Sequence, residues 1–111
     1  MFELNAEVPD APMTVGHPGK KWMFRLYVAG QTFGSILARS NLHEICEQLL
    51  ADEYYIEVID LLENPKLAKL DQIIAIPTLV RKAPVPTRRI IGDLSNTERV
   101  LFCMDIHPKT L

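Results

Sequence analysis

The sequence predicts one mixed α/β domain with the element order βαβαββα. Three observations lead there. The chain has 111 residues, 48% of them hydrophobic and 23% charged, the size and composition of a single compact core. From Trp22 onward a stretch of strand period is followed by one of helical period and then by a second β-branched run, which is a βαβ unit. Further on, two short apolar runs flank the proline-rich APVP, and a helix-start signal follows them.

Taken in order, Phe24, Leu26 and Val28 alternate with Met23, Arg25 and Tyr27, and Gly30 ends this first strand. After AGQTFGS, Ala38, Leu42, Ile45, Cys46 and Leu49 recur at helical spacing, with Arg39, His43, Glu44, Glu47 and Gln48 on the other face. YYIEVID at 54 to 60 suits a buried second strand, parallel to the first because a helix links them. Asn64 precedes Pro65 in LLENPKLAKLDQ, so a short helix is expected with proline at its first position, where the missing N–H costs nothing. IPTLVRK reads as a third strand and Pro77 as a residue at its start, since proline cannot donate to a ladder. APVP is a stiff turn, and TRRIIG a fourth strand antiparallel to the third. SNTE at 95 to 98 matches a capping box from Ser95 to Glu98 for a last helix through Val100, Leu101 and Met104. Residues 1–21 hold three prolines, two glycines and no period, so they are expected to form a flexible N-terminal extension to a domain spanning 22–111.

Composition excludes several functions. Twelve Lys and Arg against fourteen Asp and Glu give a net charge of −2, with no global attraction to nucleic acid or anionic membrane. No run approaches the ~18 apolar residues of a membrane span, and the start lacks a signal-peptide pattern, so a cytoplasmic protein is expected. Cys46 and Cys103 lie in apolar patterns and read as reduced core thiols. His17, His43 and His107 have no metal-ligand spacing with either cysteine, and no phosphate loop or nucleophile elbow is present. Asp71, Asp93 and Asp105 adjoin apolar segments without forming an acid and base pair. No catalytic residue, metal or cofactor is assigned.

The predicted order is that of the thioredoxin fold, and IPT at 76 to 78 resembles the cis-proline step at the start of its third strand. Thioredoxin chemistry requires a cysteine where the first helix begins, because the helix N-terminus lowers the thiol pKa. Gln31, Thr32, Phe33, Gly34 and Ser35 stand there instead, and Cys46 lies well inside the helix. The fold is therefore expected without the redox reaction. LYVAGQT, EVIDLLENPKLA, AIPTLV and above all RRIIGDLSN, in that order, resemble the KaiB family over roughly Trp22 to Ile106.

That resemblance implies a non-enzymatic clock or stress regulator that binds the N-terminal ring of a KaiC-type hexameric ATPase, with KaiA or a sensor histidine kinase as further partners. It also implies a metamorphic chain, thioredoxin-like when bound to its partner and βαββααβ in a free homotetramer, with the half after Asp60 changing structure. VLFCMDI at 100 to 106 and LDQIIAI at 70 to 76 mix strand and helix formers, and their periods do not choose between the two. Arg81, Arg88 and Arg89 resemble partner-contacting basic positions of the family, and some of these three and Lys82, on neighbouring strands joined by APVP, are expected to converge on one exposed edge and meet an acidic surface. Gln72 stands where many members have lysine, and Cys103 where a small residue is usual. Pro77, Cys103 and Asp105 fall on the segments that the family uses to switch folds. With the N-terminal extension and no acidic tail, these departures suggest a divergent homologue.

Overall fold

The computed structural model describes residues 20–51 and 53–107. Strand β1 (Trp22–Val28) leads into helix α1 (Phe33–Leu49), strand β2 (Tyr54–Asp60), a 3₁₀ helix (Pro65–Leu70), strands β3 (Thr78–Ala83) and β4 (Arg88–Ile91), and helix α2 (Thr97–Met104). The four strands form one sheet in the order β2-β1-β3-β4. β1 is parallel to β2 and antiparallel to β3, and β3 is antiparallel to β4.

Both helices pack on one face of the sheet. Phe24, Leu26, Val28, Leu79 and Ile90 meet Ala38, Leu42, Ile45 and Cys46 of α1 and Val100 and Met104 of α2. Each fully buried Leu or Phe here contributes ~1.5–3 kcal/mol relative to an exposed one. On the opposite face, Tyr27, Ile59, Leu61 and Val80 pack against Leu67, Ala68, Leu70 and Ile73 of the 3₁₀ helix and the turn after it. Because β1 is covered on both sides, every residue from Met23 to Val28 is buried. The alternation in the sequence marks two cores, one on each face.

Two helix starts differ in detail from the sequence pattern. The capping box shifts by one residue: Asn96 is the N-cap, its side-chain oxygen accepting from Arg99 N–H at 3.1 Å, while the Ser95 N–H donates to Asp93 Oδ1 at 3.0 Å. Asn is as good a cap as Ser, and the Asp93 bond has already taken up Ser95. Pro65 does occupy a first-turn position, but the short element is 3₁₀ and the Asn64 side chain makes no capping bond. Pro77 lies immediately before β3, with its Ile76–Pro77 peptide cis and its carbonyl accepting from Gly92 N–H at 2.9 Å. Of the expected extension, residues 1–19 lie outside the described residues, and β1 begins at Trp22 as the pattern indicates.

Candidate partner-binding site

Of the four basic residues around APVP, Arg88 and Arg89 share one exposed site, while Arg81 and Lys82 turn into the fold. Strand alternation sends Arg81 to the helix-covered face, where it lies between Phe24 and Arg88 in the register. There it is only 2% exposed. Its Nη1 donates to the Met104 carbonyl at the end of α2, its Nη2 donates to the Pro86 carbonyl at 2.7 Å, and its Cζ lies 5.6 Å from the Trp22 ring centroid. Burial and the neighbouring Arg88 lower its pKa, against the opposing pull of Asp105. Arg81 thus caps a helix C-terminus, where a cation complements the macrodipole. The expectation that it meets a partner from an exposed edge is corrected, because β3 is an inner strand.

Lys82 points to the other face and ends in a polar network that the sequence reading missed. Its Nζ donates to Asp71 Oδ1 at 2.7 Å. Arg25 Nη1 donates to Asp71 Oδ2 at 3.0 Å, Tyr27 OH donates to the same oxygen at 2.7 Å, and Arg25 Nε reaches Glu57 Oε1 at 3.2 Å. Arg25 is fully buried and Asp71 only 7% exposed. Burial alone would raise the Asp71 pKa, but the bonds from Lys82 and Tyr27 and the charges of Lys82 and Arg25 outweigh it and hold the carboxyl below its ordinary range. Desolvation and the bond to Asp71 push the Tyr27 hydroxyl well above its ordinary pKa. The signal for this network was an arginine inside an apolar strand together with a lone aspartate between apolar runs.

Arg88 and Arg89 remain exposed on β4, and neither has an ion-pair partner among the described residues. With Leu101, Phe102, Cys103, Asp105, Ile106 and His107 they line an open groove of about 610 Å³. Antiparallel pairing with β3 places the arginines, and α2 supplies the other wall. Phe102 is 86% exposed there. Asp105 ends α2 in a left-handed conformation at φ 58°, and its Oδ1 lies 2.8 Å from His107 Nε2. Four of the sequence-singled residues, Arg88, Arg89, Cys103 and Asp105, therefore share one site. Gln72 lies apart on an exposed turn at φ 55°. Pro77 is also elsewhere, facing the start of α1, where a methyl on Gly34 would lie 3.8 Å from Pro77 Cδ.

At that helix start the chemistry is structural. Ser35 is buried, and its hydroxyl accepts from Ala29 N–H at 3.0 Å and from Thr32 Oγ1 at 2.8 Å. Cys46 is fully buried in the core, and desolvation pushes its thiol up to about 12. A thiol so protonated is no nucleophile at neutral pH. Among the described residues, no group of His, Cys, Asp and Glu could hold a metal ion, and no helix is long and apolar enough to cross a membrane.

Comparison with known proteins agrees with this geometry. The N-terminal domain of Synechococcus elongatus SasA superposes with a TM-score of 0.64 at 17% identity, covering 81% of this chain and 89% of that one. A chloroplastic thioredoxin z superposes with a TM-score of 0.66 at 19% identity, covering 92% and 91%. These likenesses establish a thioredoxin-like fold. In sequence, the chain is 45% identical over 89 residues to circadian clock protein KaiB3 of Synechocystis, covering 80% of this chain and 87% of the relative. It is 48% identical over 87 residues to the circadian clock oscillator protein KaiB of Thermosynechococcus vestitus, covering 78% and 81%. These relatives carry the names of clock proteins. The KaiB domain model matches residues 25–106, from the buried arginine of β1 to Ile106 in the groove, and the chain belongs to the KaiB family.

Proposed function

We propose that this chain is a non-catalytic regulator that binds the N-terminal ring of a KaiC-type hexameric ATPase through Arg88 and Arg89 and so modulates its phosphorylation or signalling output. The observation that carries the reading is the pair of exposed arginines beside an open groove, without partners among the described residues, in a KaiB-family chain whose helix start holds a structural serine. Unpaired surface cations favour encounter with an acidic partner face and fix its register. The setting is cytoplasmic, where the partner ATPase and its ATP are found. A free homo-oligomer with the alternative βαββααβ packing belongs to the same reading. It is supported by the mixed helix and strand formers of the segments at 70–76 and 100–106.

Isothermal titration of a KaiC-type hexamer tests the proposal. Arg88→Glu with Arg89→Glu is expected to weaken binding at least ~100-fold, since losing one buried charged contact costs ~2–5 kcal/mol. Circular dichroism should be unchanged, because both side chains are exposed. Unaltered affinity in the double variant would refute the binding face. Binding to a sensor histidine kinase but not to the hexamer would instead identify an adaptor of KaiB type.

A further inference from the structure

The sheet ends in β4, whose outer side pairs with no other strand among the described residues. Leu79 lies opposite Ile90 and Arg81 opposite Arg88, and the Gly92 N–H donates to the Pro77 carbonyl. In an antiparallel ladder, bonded and non-bonded pairs alternate. Residues 88, 90 and 92 therefore turn their backbone groups towards β3, and Arg89 and Ile91 turn theirs outward. Among the described residues, the backbones of Arg89 and Ile91 have no hydrogen-bond partner. The groove of Arg88, Arg89 and Phe102 runs beside this edge, and Ile91 is itself 44% exposed.

We propose that β4 receives an extended acidic segment of a partner protein as a fifth strand of the sheet. Three features select this occupant. A peptide strand supplies both donors and acceptors for the outward N–H and C=O groups of Arg89 and Ile91, whereas a nucleic-acid backbone has no N–H to give the carbonyls. Arg88 and Arg89 point to opposite faces of the sheet, so they match two consecutive acidic residues on an added strand. A second copy of this chain is disfavoured, because antiparallel pairing of two β4 strands would crowd four guanidinium groups into four residue pairs. In the antiparallel sense the partner motif reads apolar, any residue, acidic, acidic, with the apolar residue opposite Ile91. The inference rests on the Arg88 and Arg89 reading above and adds how the partner is held.

The test uses the full chain, labelled with ¹⁵N, and the hexapeptide acetyl-Thr-Val-Thr-Glu-Glu-Thr-amide. Two controls are the same peptide with both Glu replaced by Lys, and one N-methylated at Val and the first Glu, the amides that would face β4. Saturable shifts of the Arg89 and Ile91 amides, with exchange slowed at least tenfold, are expected for the parent peptide alone. No saturation up to millimolar concentration, or equal binding of either control, would overturn the proposal. Ile91→Pro removes only an outward N–H, so the β3 ladder should survive while peptide affinity falls at least tenfold; Ile91→Thr should bind normally. If Ile91→Pro does not fold, the N-methylated peptide decides. If Ile91→Pro binds the hexameric ATPase as wild type does while Arg88→Glu with Arg89→Glu does not, the binding face stands and strand addition fails.

Discussion

Replacing Asp71 by alanine should be the most damaging single change on the 3₁₀-covered face. Its carboxylate accepts from Arg25 at 3.0 Å, from Tyr27 at 2.7 Å and from Lys82 at 2.7 Å. Without it, a fully buried guanidinium loses one acidic partner while Glu57 remains, and a buried hydroxyl loses its acceptor. Removing one partner of a buried ion pair costs ~3–5 kcal/mol, because the remaining charge stays desolvated. At ~4–8 °C per kcal/mol for a domain of this size, the melting temperature should fall by at least ~12 °C. Urea denaturation of wild type, Asp71→Ala, Arg25→Ala and the double variant would measure it. The cycle should show a coupling of ~1–3 kcal/mol, as for residues in one network. A loss under ~1 kcal/mol for Asp71→Ala, or additive single effects, would refute the view that this network holds the 3₁₀ segment to the sheet.

Further outcomes follow from the same geometry. Because the folded-state pKa of Asp71 lies below its unfolded value, its stabilisation is complete above about pH 3.9 and is lost as pH falls through the folded value. The stability gap between wild type and Asp71→Asn should therefore be constant from pH 7 to 5 and narrow below pH 4 in denaturant titrations; a gap that widens in acid would contradict this. Arg81→Ala should destabilise by roughly 2–4 kcal/mol through loss of two charged hydrogen bonds to carbonyls, and Arg81→Lys should recover less than half, since one ammonium cannot span both acceptors. Insulin reduction should run equally slowly for wild type and a Cys46→Ser, Cys103→Ser double variant, given the buried, protonated Cys46 thiol. A clear loss of rate in that variant would revive a redox role.

The sequence by itself determined the order of elements, the α1 core face and the KaiB family, because hydrophobic period and local signals such as Pro65 and Gly30 act within a few residues. RRIIGDLSN also marked the strand on which Arg88 and Arg89 stand exposed. Only the tertiary structure separated the four basic residues around APVP. Which face a strand residue takes is readable from alternation, but whether that face is buried depends on the strand's place in the sheet and on what covers it. Because β3 is an inner strand, Arg81 goes under α2 and Lys82 to Asp71. The same reason hid the Arg25–Asp71 pair. Its partners stand 46 residues apart, and they meet only because the 3₁₀ segment folds back over β1. A charge inside an apolar pattern announces that a partner is needed, and the folded chain alone supplies its identity.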